Sequence, residues 1–268
     1  MNVFQWDEAQ ILTFFHVLVR VTSVTAFVPI FGDKVVPAIV KILFGLALAC
    51  VVHPVAWAGG MRIDPAVAES AGRLAMSVGG EALFGVALGF VSRWIFDAIQ
   101  FSGHFAGIAI GFSMASVLDP HSETQTVSFA EMQYMLAALL FLAMDGHHLY
   151  LSALVDSFRI VPVTGVKILA MSQGLAQYFI NMTAEVFLLG LKLSAPVVTV
   201  VLLVNLTFGM LARAVPQLNA LILSFAANIV IGLFVMVLSL PAFVSMVNGA
   251  FDSYMPEIER FLHLLGSS

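Results

Sequence analysis

Runs of about twenty residues without a single formal charge constrain this chain more than anything else in it. Positions 42–61, 98–118 and 193–212 contain no Asp, Glu, Lys or Arg, and 214–251 is a longer window of the same kind. A helix of that length, rising roughly 1.5 Å per residue, crosses a hydrocarbon core of about 30 Å. Weaker apolar segments lie at 11–31, 75–96, 129–142 and 168–190. The longest window reads as a helix from about Leu218 that is interrupted near Pro241. The pattern predicts an all-α membrane protein of about eight apolar segments. Short loops join them, punctuated at Pro37, Pro54, Gly59-Gly60, Pro65, Pro120, Pro162 and Pro216.

Composition agrees: 60% of the 268 residues are hydrophobic and 10% charged, against about 45–50% and about 25% in soluble domains. The net charge of −5 comes with no basic cluster, so a nucleic-acid partner is not expected. Cys50 is the single cysteine and excludes an intrachain disulfide. The N-terminal stretch has Asp7 and Glu8 but no Lys or Arg before Arg20, unlike a cleaved secretory signal. Lys34 and Lys41 flank the first connection, which favours an external N-terminus and a cytoplasmic first loop. Near the C-terminus, Ile258, Phe261, Leu262 and Leu265 recur at helical spacing, as in an amphipathic helix lying on a surface or on a partner.

Charges inside apolar segments need a reason. Arg20, Glu81, Asp145, Glu185, Lys192 and Arg213 are the cases. Partner contacts or segment ends account for them better than a proton path, because no two acidic residues share a strongly apolar helix face. Gly85 with Gly89, and Gly103 with Gly107 and Gly111, are spaced four apart, as where neighbouring helices approach closely. After Gly111, "FSMASVLDPHSETQTVSF" leaves helical pattern at Asp119-Pro120 and becomes polar. It reads as a polar hairpin or as a mobile seal in which Phe112 and Met114 supply soft apolar bulk.

The motif "DGHH", Asp145 to His148, raises the question of a metal site, a proton relay or a catalytic dyad. Adjacent histidines point about 100° apart on a helix, so His147 and His148 are not expected to share an ion. Haem ligation by His53 and His104 has no other support. The chain has no GxSxG, HExxH or Walker A motif, and no catalytic, metal or cofactor site is expected.

Taken together, "FAGIAIGFSMASVLDP", "LAMDGHHLYLSALVDSFRIVP" and "LKLSAPVVTVVLLVNLTFGMLARAVPQLNALILSF" resemble the FliR/SctT family of type III secretion export-gate subunits. Arg20 followed by "VPIFGDKVVP" is similar to that family's opening. The resemblance implies a non-enzymatic core subunit, more in keeping with the flagellar gate than with its injectisome counterpart. It implies assembly with P-type and Q-type subunits into a helical channel for unfolded polypeptides. The B-type specificity-switch subunit and the large A-type export subunit would be further partners, in the bacterial inner membrane at the flagellar basal body. Within the chain, about 1–190 would be P-like and 191–268 Q-like.

The resemblance also assigns a pore plug to Ile110, Gly111, Phe112, Ser113, Met114, Ala115, Ser116, Val117, Leu118 and Asp119. Asp145, Gly146, His147 and His148 would be a structural signature, with Gly146 permitting the turn and the histidines bonding polar groups near a helix break. Pro216, Gln217 and Asn219 would form the turn between two long helices. The rival reading, a self-contained secondary transporter, would require internal repeats, and none is evident.

Overall fold

In the computed structural model, residues 6–33, 36–112, 129–161, 172–215, 217 and 219–266 are described, and no strand occurs among them. The α-helices are α1 (Glu8–Thr25), α2 (Ala38–Ala58), α3 (Ala71–Ile110), α4 (Phe129–Ala143), α5 (Gly146–Ile160), α6 (Ser172–Ala214), α7 (Ala220–Asp252) and α8 (Tyr254–Gly266). The predicted all-α class holds. The predicted segments do not map onto these helices one to one.

The described parts of the segments at 75–96 and 98–118 fuse into the 40 residues of α3, and those of the segments at 168–190 and 193–212 into the 43 residues of α6. Arg93 and Asp97 interrupt the apolar run in α3, but a charged side chain leaves the backbone hydrogen-bond ladder intact. Pro54 and Pro241 also fall inside helices, α2 and α7, rather than in breaks. A membrane-embedded helix tolerates proline because neighbouring groups satisfy the freed carbonyl. Among the described residues, four helices are long and apolar enough to cross a membrane, or five if α4 and α5 form one broken span. The chain is an integral membrane protein.

Two compact units share the long helices. The first comprises 1–94, 144–181 and 252–268, and the second 95–143 and 182–251. In the first unit, α1 starts at a capping box: the Asp7 carboxylate accepts from the Glu8 amide at 2.7 Å, and Gln10 Oε1 accepts from the Asp7 amide at 3.1 Å. One face of α1 lies directly on the glycine stripe of α3. A Cβ on Gly85 would fall 2.6 Å from Ser23 Cβ, and one on Gly89 2.8 Å from Phe27 Cβ. Only hydrogen fits at either position.

The C-terminal helix α8 corrects the expectation of a surface or partner-bound segment. Tyr254, Ile258, Phe261, Leu262 and Leu265 are buried. The ring of Phe261 packs against Phe84 at 6.4 Å, Tyr178 at 5.6 Å and Phe179 at 6.1 Å. Tyr178 Oη donates to the Glu257 carbonyl at 3.2 Å. The amphipathic stripe was correctly placed on a helix, but its own chain covers it.

The second unit is built on Ala106, Ile110, Phe129, Val197 and Val201, with Val235 and Met236 packed against them. Most of the outer surface of α7 is left bare: Leu221, Ile222, Val230, Phe234, Val237 and Leu238 are all exposed. A soluble protein would not leave so continuous an apolar face in water.

Candidate functional site

Arg20 has polar or ring contacts with five residues of the first unit. It is buried, with 1% of its surface exposed, and so is Glu81 at 2%. The two meet as a fork: Arg20 Nε donates to Glu81 Oε2 at 2.5 Å and Nη2 to Oε1 at 3.0 Å. Nη1 donates to the carbonyls of Ser157 and Val161 at 3.0 and 3.1 Å. Both carbonyls lie at the end of α5: the Ser157 carbonyl also accepts from the Val161 amide at 3.1 Å, whereas Val161 is the C-cap, where intrahelical donors run out. The guanidinium carbon lies 4.3 Å from the Phe84 ring centre and 4.5 Å from that of Phe158. A bidentate carboxylate, two helix-end carbonyls and two aromatic faces suit the planar, permanently charged guanidinium.

One turn earlier on α1, His16 Nδ1 lies 2.7 Å from the Leu12 carbonyl and Nε2 lies 2.8 Å from Ser77 Oγ. A carbonyl can only accept, so Nδ1 carries the proton, and in the neutral ring Nε2 accepts from the serine. Thr13 Oγ1 donates to the Ala9 carbonyl at 2.6 Å and accepts from the Ile63 amide at 3.1 Å. Thr13, His16 and Arg20 thus form one buried polar seam on α1. The pairs His16–Ser77 and Arg20–Glu81 both span 61 residues. A constant offset means that α1 and the first half of α3 run parallel.

In the second unit, α3 ends where the expected plug begins. Ile110 is buried in the core, and Gly111 takes φ +100°, a left-handed value natural to glycine. Its amide bonds the Gly107 carbonyl at 3.1 Å, a C-terminal closure of the helix. Phe112 is 37% exposed, with its ring 6.3 Å from that of Phe129. Gly232 leaves room for Ile110, since a Cβ there would lie 2.6 Å from the isoleucine Cγ1. Ser113, Met114, Ala115, Ser116, Val117, Leu118 and Asp119 lie outside the described residues.

The glycine stripe continues here. A Cβ on Gly103 would overlap the backbone of Ala130, whereas one on Gly107 would make only a 3.4 Å contact with Phe129. At the turn before α7, the Asn219 carbonyl accepts from the Leu223 amide at 3.2 Å and its Oδ1 from the Ile222 amide at 3.4 Å. Asn219 therefore caps α7. Gln217 is exposed in that turn, and Pro216 lies outside the described residues. Within the hairpin, Asn228 Nδ2 donates to Asn205 Oδ1 at 2.8 Å.

The DGHH block opens α5. The expected turn-maker was Gly146, but the left-handed residue is Asp145, at φ 56°, ψ 26°. Aspartate tolerates that region better than most residues. Helical-wheel geometry set His147 and His148 apart, yet their ring centres are 4.1 Å from each other. Donor atoms of Asp145, His147 and His148 all lie within 4.8 Å of one another. A helical wheel fixes only the directions in which the two side chains leave the backbone; their own torsions bring the rings together.

The pattern of bacterial export proteins, family 1, matches residues 11–254. The chain belongs to this family. It is 28% identical over 256 residues to the flagellar biosynthetic protein FliR of Bacillus subtilis (strain 168), covering 95% of this chain and 96% of that one. It is 31% identical over 233 residues to the FliR of Escherichia coli (strain K12), covering 85% and 84%. The FliR of Pectobacterium carotovorum subsp. carotovorum is 29% identical over 269 residues, covering 98% of each chain.

As a member of bacterial export proteins, family 1, the chain is a membrane component of an export apparatus rather than an enzyme. Arg20 and Glu81 had been singled out as charges in need of a partner, but the favoured explanation placed those partners outside the chain or at segment ends. The structure joins the two to each other. His16 and Ser77 escaped sequence reading altogether. Their one legible signal was the repeat, four residues before Arg20 and four before Glu81, of a pair with matching hydrogen-bond capacity.

Proposed function

We propose that this chain is a core subunit of the flagellar type III export gate, lining a channel for unfolded flagellar proteins with P-type and Q-type subunits. The observation that carries the reading is the length of α3 and α6, 40 and 43 residues. Such helices extend roughly 60 Å, about twice the hydrocarbon core. Tilting alone would require roughly 60° from the membrane normal, beyond the usual range of about 0–40°. Parts of these helices therefore stand outside the bilayer. Their bare apolar faces, and that of α7, then need protein neighbours, as a multi-subunit gate would supply.

The flagellar relatives support the flagellar form of the gate over the injectisome form. In this reading the gate sits in the inner membrane at the basal body, with the B-type and A-type export subunits as neighbours. Residues 1–190 form the P-like part and 191–268 the Q-like part. Positions 110–119 plug the resting pore, anchored by Ile110 and turned out of α3 at Gly111. Exposure of Phe112 at the start of this stretch is consistent with an apolar seal.

Co-expression with the P-type and Q-type subunits, followed by native mass measurement, tests the assembly. One particle containing all three is expected. A stable particle of this chain alone, with both partners left behind, would overturn the reading. In an assembled gate, deletion of 113–118 should make membranes permeable to small ions, whereas unchanged permeability would remove the plug.

A further inference from the structure

The DGHH block holds a donor set that an export channel does not require. Asp145 occupies the N-cap position of α5, yet its side chain makes no capping hydrogen bond. An N-cap aspartate normally gives an oxygen to an amide of the first turn. This carboxylate instead lies 3.4 Å from His148 Nδ1. His147 Nδ1 is shut off from solvent and has no hydrogen-bond partner. An exposed Asp145–His148 ion pair would contribute little, and it would leave the orphaned nitrogen of His147 unexplained.

We propose that Asp145, His147 and His148 form a binding site for one zinc ion, completed by water. Two imidazoles and one carboxylate form a borderline donor set that suits zinc, whereas calcium and magnesium favour oxygen alone. Three protein ligands and an open position match the coordination of accessible zinc sites. Zinc bonds of about 2.0–2.2 Å put tetrahedral ligand atoms about 3.4 Å apart. The donors, now within 4.8 Å of one another, need to close by little more than an ångström. Asp145 and His148 are exposed and His147 is partly so, which leaves the outer side chains free to rotate.

The positive N-terminal end of α5 opposes a cation, and the Asp145 carboxylate offsets it. All three ligands are therefore needed. Binding would tie the left-handed Asp145 to the first turn of α5.

The test uses the full chain, purified in detergent on a cleavable tag without histidine and stripped with a chelator. Zinc sulfate is titrated against a competing chromophoric chelator. One zinc per chain is expected. Each of Asp145→Asn, His147→Ala and His148→Ala should weaken binding by at least about tenfold. Asparagine also tolerates the left-handed region, so Asp145→Asn removes the ligand charge without disturbing the turn, whether or not the alanine variants fold. Stoichiometric zinc unaffected by Asp145→Asn and His148→Ala, or no stoichiometric zinc in the unsubstituted chain, would overturn the site.

Discussion

The Arg20–Glu81 seam of the first unit and the Asn205–Asn228 pair of the second both place polar atoms between apolar helices. They do so at very different stakes. Arg20 brings a full charge into a region that water does not reach, and the surroundings answer it with a carboxylate, two carbonyls and two rings. The Asn205–Asn228 contact is a single neutral hydrogen bond of 2.8 Å. A buried charge is tolerated only when nearly every donor is met, so the first unit is organised around one residue. The second depends on shape, with Ile110 seated over Gly232 and Gly103 against Ala130.

Removing one member of the charged pair should have the largest effect. Arg20→Met or Glu81→Leu alone leaves an unmet buried charge and should cost about 3–5 kcal/mol in detergent unfolding. The double variant should recover most of that loss, because no uncompensated charge remains. Equal losses in the single and double variants would show that the ion pair itself, and not the avoidance of an orphan, stabilises the first unit.

Ile110→Ala tests the second unit in the same assay. A core isoleucine truncated to alanine should cost about 2–5 kcal/mol. A negligible cost would mean that Ile110 belongs functionally to the plug and not to the core.

Gly85→Val should cost about 1–3 kcal/mol by forcing α1 off α3, whereas Gly79→Ala, which meets nothing within 4 Å, should be neutral or slightly stabilising. If the two substitutions behave alike, close approach at Gly85 is not what holds α1 in place.

The smallest destabilisation is expected at Asn228→Leu. Interhelical hydrogen bonds of this kind contribute about 0.6 kcal/mol on average, so thermal denaturation should shift only slightly. A loss as large as that of Arg20→Met would erase the contrast between the two units.

Several structural features were legible before any coordinates. Charge-free windows marked the helices, the stripe of Gly85 and Gly89 marked a close approach, and the spacing of Ile258, Phe261, Leu262 and Leu265 marked an amphipathic helix. The number of helices was not legible, because charges such as Arg93 and Asp97 interrupt hydropathy without interrupting backbone hydrogen bonds. The partner of Arg20 was not legible either. Nothing local distinguishes Glu81 from Glu185 as its carboxylate, and only the parallel packing of α1 on α3 brings residues 61 positions apart together.

The sequence by itself determined the solvent this chain lives in, its all-helical class and its family, since these follow from residue type and order summed over long stretches. Tertiary structure alone decided which charges are paired, which apolar stripe its own chain covers and which stays bare. It also decided that Asp145, and not Gly146, takes the left-handed turn. Those outcomes depend on which surfaces meet across long separations, and local periodicity carries no information about that.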